Sequence, residues 1–86
     1  MTNPLPAALG QIVRAYRERA YLTQAELAVA ACVSESYIQR IEYGQRTPTI
    51  TVFLQLANAF NIEPAEFLQE ILRLQAILSN SQDKSS

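Results

Sequence analysis

The chain has 86 residues, 49% of them hydrophobic, and a formal net charge of −1. That length fits one small domain with a compact core, although a domain this short gains stability from a partner subunit. One cysteine and no histidine exclude an internal disulfide framework and a histidine-based metal site.

No apolar run reaches the roughly 18 residues of a membrane span. The N-terminus MTNPLPAALG has no basic stretch ahead of an apolar core, so no signal peptide is expected. A cytoplasmic protein follows, with no cofactor, no membrane contact and no separate ligand-binding domain for a small molecule.

Pro6 suits the first position of a helix, and helix one is expected over residues 6–20. Leu9, Ile12, Val13, Tyr16 and Ala20 recur at helical spacing and give it one buried face. Arg14, Arg17, Glu18 and Arg19 occupy the rest. Thr23 and Glu26 then have the capping-box spacing, which opens helix two over residues 24–31. Leu27, Ala28 and Ala31 form its apolar stripe.

The stripe stops at Cys32-Val33-Ser34. The lone Cys32 reads as a small buried hydrophobe, since no histidine is present to activate it. Ser34 is a second N-cap, and Val33 and Ile38 have the spacing of a hydrophobic staple. Helix three is expected over residues 35–43, with Ile38 and Ile41 inward and Gly44 ending it. Two capped helices on a three-residue connection make a helix-turn-helix unit.

Thr49 caps helix four, residues 50–60, in which Ile50, Phe53, Leu54, Ala57 and Phe60 keep the period. Asn61 suits a left-handed closure, and Pro64 opens helix five, residues 64–78. Residues 1–78 therefore read as one domain. Residues 79–86, SNSQDKSS, read as a flexible polar tail.

Helix three carries a polar remainder. Glu35, Ser36, Gln39 and Arg40 share one face, and all four can exchange hydrogen bonds with base edges. Arg40 can pair bidentately with guanine, Gln39 with adenine, and Glu35 can accept from cytosine. Glu35 is equally explained as favourable charge at a helix N-terminus.

In these residues the chain resembles the Cro/repressor or Xre type of helix-turn-helix family. The resemblance spans Leu9 to about Leu68. Its marks are Arg17, Leu22-Thr23-Gln24, Glu26-Leu27-Ala28, Val33-Ser34, Tyr37-Ile38, Ile41-Glu42, Gly44 and Thr47-Pro48-Thr49. The family usually has glycine where this chain has Tyr21 and Cys32. Both are positions where a helix ends and φ can turn positive.

The resemblance implies an all-α, five-helix, lambda-repressor-like domain that binds double-stranded DNA; without histidine, a paired-carboxylate cleft or a phosphate-cradling glycine loop, an enzyme is not expected. It implies backbone contacts by Gln24, Ser34, Tyr43, Gln45 and Arg46, with Gln24 also touching the reading helix. For Tyr43, a cover over Pro48 stands level with a phosphate contact. Arg17 and Glu42 occupy the positions of a partly buried structural ion pair. Compact members act as phage-type repressors, antitoxins or controllers of restriction-modification operons, and a short chain with one extra C-terminal helix is similar to the last group.

Charge is unevenly spread. Residues 1–61 balance at +1, while residues 62–86 balance at −2. DNA binding needs local rather than net positive potential, and so few cations point to two copies acting together. Phe67, Ile71, Leu74 and Leu78 recur along helix five, with Ile77 beside them, and are expected to form a two-fold seam; the alternative is that the helix folds back onto its own core. The function expected is a homodimeric transcriptional regulator on a near-palindromic operator. The alternative is a helical protein-interaction module with the same fold and little DNA affinity.

Overall fold

The computed structural model describes residues 3–84, with side chains through residue 80. Its five helices are α1 (Leu5–Arg19), α2 (Gln24–Ala31), α3 (Glu35–Glu42), α4 (Ile50–Ala59) and α5 (Pro64–Lys84), and the described residues contain no strand. Helices α1 to α4 begin and end within two residues of the expected bounds.

Each start has a local cause. Thr23 and Glu26 form the reciprocal capping box, and Ser34 and Thr49 accept from the amides of Tyr37 and Val52. Each cap satisfies a donor that the first helical turn leaves free. At α1 the task falls to Asn3, whose Oδ1 accepts from the Leu5 amide at 3.0 Å, with Pro4 as the cap residue.

The ends of α1 to α4 share one device. Tyr21, Cys32, Gly44 and Asn61 adopt left-handed φ values of 60, 60, 74 and 56°. The following amides of Leu22, Val33, Gln45 and Ile62 donate back to Arg17, Ala28, Arg40 and Ala57. This is the Schellman arrangement, which satisfies the last helical carbonyls. Only Gly44 has the residue that takes this conformation freely. Cys32 is exposed there, not buried as expected: a residue closing a helix in the left-handed region points away from the stripe it terminates.

The core joins Ala8, Leu9, Val13, Leu27, Ala28, Ala31, Ile38, Ile41, Phe53, Leu56, Ala57, Phe67 and Ile71. Three expected core positions differ. Ala20 is exposed, because α1 has ended before it. Ile50 and Leu54 are 72% and 46% exposed, and Leu56 is fully buried in their place. The inward face of α4 is the Phe53, Leu56, Ala57 and Phe60 set, which packs into the core and leaves the 50/54 pair on the flank.

Helix α5 departs most from expectation. It continues to Lys84, so residues 79–84 are helical; residues 85–86 lie outside the described residues. No Gly or Pro interrupts that segment, and adding a residue to an existing helix is far cheaper than starting one. Phe67 and Ile71 are fully buried within the monomer and are not seam residues. Phe67 stacks on Phe53 at 5.0 Å and meets Tyr16 and Phe60 edge-on at 5.7 and 5.9 Å. Leu74 and Leu78 also pack partly against the core. The stripe fits its own domain because α5 lies along α1, so its first turns have a partner already. Ile77 is exposed, but about 100° of rotation per residue puts it on the opposite flank from exposed Leu68 and Leu72.

Two features fix α3 against α1. Gly10 is buried where a Cβ would collide with the carbonyl oxygen of Ile41 and lie 2.9 Å from that of Glu42. Only a missing side chain lets α1 come so close to the end of α3. Beside it, Arg17 Nε donates to Glu42 Oε2 at 2.6 Å and Nη2 to Oε1 at 3.1 Å. The two side chains are 13% and 4% exposed. Arg17 Nη1 also donates to the Leu22 carbonyl at 2.8 Å. The hydrogen bond to Glu42 raises the Arg17 pKa above its ordinary value, against the opposing effect of desolvation. A raised folded pKa gives stability that is full below the unfolded value and lost only above it, so mild alkali leaves this cation in place.

Glu42→Ala removes one partner of a nearly buried bidentate pair. The expected loss is about 3 kcal/mol, seen as a drop in Tm of more than about 10 °C. An unchanged Tm by calorimetry would refute the structural role. Cys32→Gly should act in the opposite direction, raising stability by about 0.5–1 kcal/mol, because it relieves a left-handed residue whose side chain packs on little. Urea denaturation of the two proteins checks the sign.

Candidate nucleic-acid interface

Helix α3 is held at both ends and along its back. Ser34 caps its start at 3.1 Å from the Tyr37 amide, and Ile38 and Ile41 are fully buried beneath it. Glu42 at its end is bound to Arg17, and Gln24 Nε2 donates to Glu42 Oε1 at 3.0 Å. Gln24, the first residue of α2, therefore reaches across to the end of α3. One of its side-chain N–H groups is committed there, which leaves the other and the free amides of the helix start for an anion.

The outward face carries the four residues singled out from the sequence. Glu35, Ser36 and Arg40 are exposed and Gln39 is half-buried. The structure brings them together on one side of α3, opposite the buried isoleucines. Glu35 sits in the first turn and Arg40 in the last, each at the helix end that favours its charge.

Around this face lie the residues named for backbone contact. Ser34 is exposed, with its oxygen engaged as the cap. Tyr43 is 73% exposed at the end of α3. Gln45 and Arg46 are exposed in the segment after Gly44.

The arginines divide by task. Arg17 is taken by Glu42, Arg14 pairs with Glu18 one turn away at 3.2 Å, and Arg19 lies 4.9 Å from the Tyr16 ring centroid. Among the described residues Arg19, Arg40, Arg46 and Arg73 have no carboxylate partner; Arg40 lies on the exposed face of α3 and Arg46 reaches that helix from the loop after it.

Two residues escaped the sequence reading. Gly10 sets the approach of α1, and its signal was a glycine inside a helical pattern, where it costs stability unless packing demands it. Tyr37 carries Arg46 on its ring, at 4.6 Å from Cζ to centroid. Nothing in the local spacing of the chain announces that pairing, because it depends on how the loop after Gly44 folds back.

No helix among the described residues is long and apolar enough to cross a membrane. Residues 13–67 match the helix-turn-helix family. MT0491 of Mycobacterium tuberculosis, an HTH-type transcriptional regulator, is 34% identical over 53 residues, covering 62% of this chain. Those residues are only 38% of that relative, so this chain spans well under half its length.

Among solved structures, ClgR, the clp gene regulator of Corynebacterium glutamicum, has a TM-score of 0.86 at 27% identity, covering 98% of this chain and 90% of that one. The restriction-modification controller protein C.AhdI of Aeromonas hydrophila has a TM-score of 0.69 at 35% identity, covering 72% and 94%. The controller protein C.Esp1396I, solved as a tetramer with its natural 35 base-pair operator, shares the fold at TM-score 0.74, with 19% identity over 84% and 95% of the chains. With the matched segment covering the whole helix-turn-helix, α4 and the second half of α1, the chain belongs to the Xre-type helix-turn-helix family of DNA-binding transcriptional regulators.

Proposed function

We propose that this chain is a sequence-specific regulator that binds duplex DNA as a homodimer on a near-palindromic operator, in the cytoplasm and without a cofactor or enzymatic step. The observation that carries the reading is α3 itself. Its apolar side is buried, its ends are clamped, and Glu35, Ser36 and Arg40, with half-buried Gln39, make up its outward face. A helix fixed in this way can enter a major groove without reorganising. Gln24, Ser34, Tyr43, Gln45 and Arg46 surround it as backbone contacts, which set register rather than sequence.

The homodimer rests on a revised seam. Exposed Leu68 and Leu72 lie one turn apart on α5, and exposed Ile50 and Leu54 one turn apart on α4. Leu68 and Ile50 line one shared groove with Leu5, Leu9, Pro48, Phe53 and Ile71. A contiguous apolar surface of this kind is unusual on a monomer. To read a near-palindromic operator, a two-fold dimer built on this surface must hold its two copies of α3 about 34 Å apart, one turn of DNA. The operator-bound tetramer of C.Esp1396I supports the use of several copies on one site.

Salt separates this reading from an interaction module of the same fold, since DNA binding weakens steeply as salt rises. Arg40→Ala should lose about 1–3 kcal/mol of discrimination at one base pair. Arg46→Ala should weaken all sequences alike and lower the salt slope by about one. Fluorescence anisotropy on an operator and its single-base variants checks both, and a uniform loss in Arg40→Ala reassigns that residue to phosphate. Leu72→Glu places a charge in the seam without touching the core. Sedimentation should give a helical monomer with weak half-site binding; a persistent dimer would move the interface elsewhere.

A further inference from the structure

Tyr37 lies in the first turn of α3 and is absent from both contact sets above. Its ring is half-buried, its amide is held by the Ser34 cap, and its phenol oxygen is buried with no hydrogen-bond partner. What the side chain does have is a cation on its ring face, the Arg46 guanidinium at 4.6 Å from the centroid. Arg46 comes from the segment between α3 and α4, after a left-handed Gly44. A loop arginine is thus stationed on the reading helix.

An aromatic face attracts a guanidinium through its quadrupole, and the planar ion stacks well. A free arginine loses much rotamer freedom when it clamps a phosphate. A platform that holds it beforehand removes part of that loss. The buried, unpartnered hydroxyl indicates that the ring, rather than a hydrogen bond of the phenol, gives this side chain its place in the free protein. We propose that Tyr37 is a positioning residue that presents Arg46 beside the reading face before DNA arrives. The proposal rests on the DNA-binding role given above.

Four variants test it: Tyr37→Leu, Tyr37→Phe, Arg46→Ala, and the double variant that combines Tyr37→Leu with Arg46→Ala. Tyr37→Leu should weaken binding about two- to five-fold on every sequence, the scale of an exposed cation–π contact. Tyr37→Phe keeps the ring and should bind like the parent. In the Arg46→Ala background, Tyr37→Leu should add nothing. Without DNA, the Arg46 side-chain protons should be shifted upfield by the ring in the NMR spectrum of the parent and of Tyr37→Phe, and lose that shift in Tyr37→Leu. Should Tyr37→Leu fail to fold, Arg46→Lys takes its place, because it keeps the charge and stacks less well; it should show a few-fold uniform loss. A loss in Tyr37→Phe, or an undiminished effect of Tyr37→Leu without Arg46, would mean that the phenol itself touches DNA and would overturn the proposal. So would a parent without the upfield shift, or an Arg46→Lys variant that binds like it. A parent that shows the shift but binds no duplex refutes the DNA-binding reading while upholding the platform.

Discussion

The Glu42 carboxylate is the point on which the presentation of α3 depends. It stands at the last residue of α3, where the helix dipole disfavours an anion, and it is almost wholly buried. Alone, it would destabilise both the helix end and the core. Arg17 reverses this by meeting it with two hydrogen bonds, and Gln24 adds a third. The three residues come from α1, α2 and α3. The same interaction that neutralises the charge therefore fixes the relative placement of three helices, and a buried ion pair is well suited to that because its geometry tolerates little displacement.

Gly10 and the aromatic cluster make that placement possible from opposite sides. The bare backbone of α1 lets the end of α3 approach until carbonyl oxygens fill the space of a side chain. Phe67, stacked on Phe53 and edge-on to Tyr16 and Phe60, ties α5 to α1 and α4. The consequence is a division of surfaces. The faces of α4 and α5 that build the domain are spent, and Ile50, Leu54, Leu68 and Leu72 are left exposed on these two helices, with Ile50 and Leu68 in one groove.

Much of this was legible in the chain itself. The caps at Thr23, Ser34 and Thr49 and the inward Ile38 and Ile41 follow from local chemistry, which a linear pattern records well. The left-handed residues at Tyr21 and Cys32 were marked by the glycine expected there. The position of α5 was not legible. A stripe such as Phe67-Ile71-Leu74-Leu78 states that a helix has an apolar side, but not whether that side meets its own domain or another copy. The same limit explains Ile50 and Leu54, which fit the period yet lie off the packed face. The pairing of Tyr37 with Arg46 was illegible for a related reason, since it joins a helix to a loop whose path is set by tertiary packing.

The four left-handed closures bear on how the molecule opens. The amides of Leu22, Val33, Gln45 and Ile62 belong to the connections by position, yet each donates to a carbonyl inside the preceding helix. Their exchange with solvent deuterons is therefore governed by fraying of that helix, not by motion of the turn. Between α2 and α3 the Ser34 cap takes over immediately after the closure at Val33. Few unanchored amides remain where the unit could part between its two helices. Bending at this turn therefore requires breaking the hydrogen bonds that close α2 and open α3.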